Sequence, residues 1–124
     1  MQDLIARIAS ASGLDAATAE QAVGMVLAFL QKEAPAADME KVLAGIPGAA
    51  DLAAAHADGG GGGGLMGMLG GGLMGLAGQL SGLGLGMGEM QAVGRELFAI
   101  AREVAGEDVV GEIAGSIPGL SQFT

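Results

Sequence analysis

Asp15 to Pro35, DAATAEQAVGMVLAFLQKEAP, decides the fold class of this chain. Ala19, Ala22, Val23, Val26, Phe29 and Leu30 recur at steps of one, three and four, which is one face of a helix. Glu20, Gln31 and Lys32 fall on the other face. Asp15 is placed to cap the first turn by accepting from free backbone N–H groups. Pro35 lacks an N–H and stops the helix. The spacing predicts one long amphipathic helix reaching about Ala34.

Working outward, Leu4, Ile5, Ile8 and Ala11 form the apolar stripe of a shorter helix over 2–12, which Gly13 ends in a left-handed turn. Beyond Pro35 a short helix over about 37–45 turns Met39, Val42 and Leu43 inward, and Pro47-Gly48 stops it. Ala49 to His56 makes two further turns. Later in the chain, Met90, Val93, Leu97, Ile100 and Val104 form another long stripe, opposite Gln91, Arg95, Arg102 and Glu103. Gly106 ends that helix, Asp108 is placed to cap the next, and Val109, Val110 and Ile113 supply its apolar side.

The second set repeats the first. Gln21-Ala22-Val23-Gly24 returns as Gln91-Ala92-Val93-Gly94, and Ile46-Pro47-Gly48 returns as Ile117-Pro118-Gly119. In between, Leu27 pairs with Leu97, Lys32 with Arg102, Glu33 with Glu103 and Asp38 with Asp108, with a one-residue slip before the final Ile-Pro-Gly. Such self-similarity marks a repeated helical unit. Gly24 and Gly94 interrupt their helices at a cost of about 1 kcal/mol each against Ala, which predicts close helix contacts at both. The expected fold is all-α: an orthogonal multi-helix array of two tandem helical units within one domain. Unit one spans 2–57, a Gly linker 58–64, and unit two 65–123.

Gly59–Gly64 has the composition of a flexible linker. After it, Leu65, Leu69, Leu73, Leu76, Leu80 and Leu83 alternate with Gly67, Gly71, Gly75, Gly78 and Gly82 at helical spacing. On a helix this makes a leucine stripe on one side and a glycine stripe on the other. The seven glycines between 65 and 83 cost about 7 kcal/mol against Ala, so the helix needs partners to persist. A glycine-diluted repeat helix, a disordered stretch and a membrane or glycine-zipper helix are the three readings. The first carries an expectation: leucines on this chain's own helices, glycines against a second helix.

Composition narrows the function classes. The 124 residues include 25 Gly, no Cys, no Trp and no Tyr, and the net charge is -9. Residues 59–88 carry no charge. Five basic residues spread along an acidic chain argue against nucleic acid and anionic lipid as partners. Without cysteine there is neither a disulfide framework nor thiolate chemistry. Met1-Gln2-Asp3 lacks the basic-then-apolar pattern of a signal peptide, so a cytoplasmic location is expected.

Candidate chemistry is sparse. His56 is the sole histidine, with only Asp51 and Asp58 near it in sequence, where catalysis or metal binding recruits several convergent groups. Ser10, Ser12, Ser81, Ser116 and Ser121 have no nucleophile-elbow setting. The glycines at 82, 84, 86 and 88 alternate and match no phosphate-binding loop. Glu33, Asp38, Glu107 and Asp108 are paired carboxylates by position, but they fall at helix ends, which points to capping and solvation. Met66, Met68, Met74, Met87 and Met90 suit either an adaptable binding surface or gap filling in a core.

The pattern carried by Leu14 through Leu52, the Gly/Leu/Met-rich middle and Glu89 through Phe123 resembles the bacterial VcgC/VcgE-type family of uncharacterised small helical proteins. Its helix–helix–Ile-Pro arrangement is also similar to YidB-like helical proteins. The resemblance implies an all-α fold and no established activity.

These readings predict a non-catalytic protein, with no cofactor and no metal, that contacts another protein or itself as a homo-oligomer. The expected interaction surface is Leu65, Met66, Leu69, Leu73, Met74, Leu76 and Leu80. The alternative is a membrane-associated helical assembly through segment 65–88.

Overall fold

The computed structural model describes residues 2–57 and 73–117, and among these every element is a helix. In chain order they are α1 (Gln2–Ser12), α2 (Ala16–Glu33), α3 (Ala36–Gly45), α4 (Ala49–Ala57), α5 (Leu73–Gly82), α6 (Met87–Ala105) and α7 (Glu107–Ser116). The fold is all-α.

Glycine and proline set the boundaries. Gly13 follows α1 with φ 75°, and the Leu14 N–H donates back to the Ala9 carbonyl at 3.0 Å. Gly84 follows α5 with φ 93°, and the Leu85 N–H donates to the Leu80 carbonyl at 3.3 Å. Both are six-to-one closures of a helix C-terminus, with a leucine just past the glycine packing back on the core. At the end of α2, Ala34 is extended, as a residue before proline must be, and α3 begins directly after Pro35. Ile46 and Ile117 end α3 and α7 in nearly the same extended conformation, φ -117° and -118°. A single residue, Gly106 at φ 99°, separates α6 from α7.

Two capping expectations are corrected. Asp15 occupies the N-cap position of α2, yet its side chain makes no capping hydrogen bond. Asp108 lies inside the first turn of α7, and Gly106 holds the cap position instead.

The long helices α2 and α6 organise the packing. α2 makes its most extensive contact with α4 and also meets α1, α3, α5 and α6. α6 lies mainly against α1 and further against α3, α7 and α2. One continuous core results, whose largest fully buried side chains include Phe98, Ile8, Leu27, Met39, Leu97 and Ile113. Most of the predicted stripes face inward. Ala11 is an exception: it is exposed, and Ala9 is buried in its place. Val104 is another, 40% exposed at the end of the α6 stripe. The third departure runs the other way, since Asp38 is buried.

Helix order and length recur along the chain: α1, α2 and α3 have 11, 18 and 10 residues, and α5, α6 and α7 have 10, 19 and 10. The buried positions recur 71 residues apart. Val26 and Leu97, Leu27 and Phe98, Met39 and Val110, Val42 and Ile113, and Ile46 and Ile117 are buried in pairs at that distance. Gly13 and Gly84 keep it too. The Gln-Ala-Val-Gly identities, 70 apart, are therefore one residue out of the structural register. At 71, Gly94 falls with Val23, and Leu27 falls with Phe98 rather than Leu97. Gly24 and Gly94 are nevertheless both buried.

Candidate functional site

α5 separates its two sides as its sequence pattern predicts. Leu76 and Leu80 are buried in the core, and α2 is the helix they reach it through. Gly78, Gln79, Ser81 and Gly82 are exposed. A Cβ added at Gly78 or at Gly82 would meet nothing within 4 Å among the described residues. Met87, five residues past Gly82, is 68% exposed and, with Val104, is one of two large apolar side chains left in the open among the described residues.

This arrangement revises the predicted interaction surface. Leu76 and Leu80 serve the chain's own core and are not displayed. Leu73 and Met74 belong to α5, but the placement of their side chains lies outside what is described, as do Leu65, Met66 and Leu69 altogether. Segment 65–88 is not one helix either: α5 stops at Gly82, a turn follows, and α6 starts at Met87. Among the described residues no helix is long and apolar enough to cross a membrane.

A second feature lies where α3 packs on α7. Asp38 is 4% exposed, and its Oδ2 accepts no hydrogen bond. Its place in the first turn of α3 favours the negative charge through the free N–H groups there, but the side chain caps none of them. Glu112 on α7 holds its proton above the ordinary carboxylate range. The main cause is a hydrogen bond with Asp38, followed by the Asp38 charge and a small loss of solvent, with Lys41 opposing. The sequence pairs Asp38 with Asp108 and points to capping or solvation for it. In the structure Asp108 is exposed, whereas Asp38 occupies a core position. The signal was present: Asp38 lies four residues before Val42, on the same helical stripe.

The remaining candidates do not converge. Ser12 and Ser116 donate to the Ile8 and Glu112 carbonyls of their own helices, at 2.6 and 2.8 Å. His56 sits in α4 with Asp51 exposed five residues before it, and Asp58 lies outside the described residues. Glu33, Glu107 and Asp108 are exposed. Among the described residues no three His, Cys, Asp or Glu side chains gather as metal ligands. Arg7 has a structural role: its Nε donates to Glu96 at 3.0 Å and its Nη1 to Glu103 at 2.9 Å, tying α1 to α6. Its hydrogen bonds to Glu103 first and Glu96 second raise its already high pKa.

No family model matches the chain, and comparison with curated proteins and with solved structures finds no match either. The resemblance to small bacterial helical proteins rests on the sequence pattern alone.

Proposed function

We propose that this protein is a non-catalytic interaction module of two related helical units that associates with a second copy of itself through the open side of α5. The observation that carries the reading is the asymmetry of that helix. Leu76 and Leu80 are spent on the core, while Gly78 and Gly82 leave a smooth face that none of the described residues covers. Glycine in a helix interior is costly, and a bare glycine face allows another helix backbone to approach closely. The exposed Met87 adds an adaptable apolar side chain just beyond the helix. The two-unit reading is supported by the recurrence of helix lengths and buried positions 71 residues apart.

Sedimentation and light scattering over a wide concentration range test the proposal. The wild-type protein should associate as concentration rises. Gly78→Leu should weaken that association while leaving the helical circular dichroism unchanged, because no described residue lies within 4 Å of a Cβ there. A wild-type monomer at every concentration refutes self-association. Flotation with liposomes in that case would favour the membrane-associated assembly through segment 65–88.

A further inference from the structure

The first helix of each half of the chain packs on the long helix of the other half. α1 lies more extensively on α6 than on its own neighbour α2. Among the described residues, α2 is the only helix with which α5 has extensive contact. Ile5 and Ala9 of α1 recur 71 residues later as Leu76 and Leu80 of α5, and all four are buried. α3 crosses over too, packing on both α6 and α7. Two close contacts mark the crossing. Arg7 on α1 donates to Glu96 and Glu103 on α6 at 3.0 and 2.9 Å. Gly45 on α3 lies against Val104 on α6 with no room for a Cβ. The two halves are joined covalently only through residues 58–72, which from Gly59 to Gly72 hold glycine, leucine and methionine alone.

We propose that these halves exchange between copies: α1–α4 of one chain closes on α5–α7 of a second copy, and the reverse, giving a symmetric dimer with both cores rebuilt. Every contact between the halves of one chain then reappears between two chains, so association needs no surface beyond the one already buried. The two states differ in the path between α4 and α5 and in the entropy of bringing two chains together. A tethered half acts at an effective concentration on the order of millimolar when the linker is short. Exchange therefore gains as protein concentration approaches that range. It also requires the core to open first, so it is slow in water and faster in mild urea. The exchanged surface is the α1–α6, α2–α5 and α3–α6–α7 packing. It is separate from the open side of α5 at Gly78 and Gly82, and does not depend on that side.

Charge reversal in two full-length chains tests the exchange. Arg7→Glu in one chain sets an acid against Glu96 and Glu103, and Glu96→Arg with Glu103→Arg in the other sets two cations against Arg7. Within either chain the α1–α6 contact is then repulsive. In the exchanged heterodimer one such contact is native and the other is its charge-inverted copy, so both attract. Refolded together from urea and measured by native mass spectrometry, the chains should give roughly tenfold more heterodimer than either homodimer. High salt should shrink that excess. Where a variant alone is too weakened to fold, mixing should restore its helical circular dichroism. Gly78→Leu in both chains should leave the heterodimer intact. No heterodimer at any concentration up to about a millimolar, or a statistical mixture of heterodimer and homodimers, refutes the exchange. A heterodimer lost with Gly78→Leu refutes it too, and assigns association to the open side of α5. A heterodimer that survives Gly78→Leu while the wild type stays monomeric supports the exchange and removes self-association through α5.

Discussion

Gly45 and Val104 meet where the end of α3 crosses the end of α6: a Cβ on Gly45 would lie 2.5 Å from the Val104 Cβ and 2.8 Å from its Cγ2. Those separations are shorter than van der Waals contact, so a side chain at 45 forces the helices apart. Gly45→Ala should destabilise by about 1–2 kcal/mol, the overpacking cost less the helix preference of alanine. Val104→Ala removes the Cγ2 contact but keeps the Cβ, so the double variant should recover part of the loss. Urea unfolding of the four proteins in the cycle measures it, and strictly additive effects would show that the helices separate freely.

Glycine substitutions elsewhere should split by backbone conformation. Gly13 and Gly84 have positive φ and open surroundings, so Gly→Ala at either strains only the backbone, at about 1–2 kcal/mol. Gly111 lies in a helix interior, also with open surroundings, and Ala there should stabilise by up to about 1 kcal/mol. Thermal melting distinguishes the two classes by the sign of the shift.

Phe98 is the largest fully buried side chain. Phe98→Ala should cost about 3–5 kcal/mol, a large fraction of the 5–15 kcal/mol that holds a typical domain. Phe29, half-buried at the rim of the same core, should cost less when truncated. Equal losses at the two sites would contradict the packing described.

The Arg7 contacts to Glu96 and Glu103 are exposed, with the Arg7 side chain 46% accessible. Arg7→Met should lower the melting temperature slightly at low salt and hardly at all at high salt, because ions screen surface pairs. A loss unaffected by salt would mean that the aliphatic stem of Arg7, rather than its charge, is what holds α1 to α6.

The sequence by itself determined where the helices begin and end. The apolar period, Gly13, Pro35, Pro47 and Gly106 act within a few residues of themselves, and local sterics need no distant partner. It also pointed α5's leucines inward, because a helix diluted by glycine must pack to persist. Tertiary structure decided the rest. The Gln-Ala-Val-Gly identities lie 70 residues apart, but buried positions recur at 71, because packing recognises which side chain faces the core and tolerates a changed residue type. That one-residue difference moved Asp38 from the side of exposed Asp108 to that of buried Val109. Whether Asp38 meets water or is sealed in the core depends on α7, which packs on α3 from some seventy residues away.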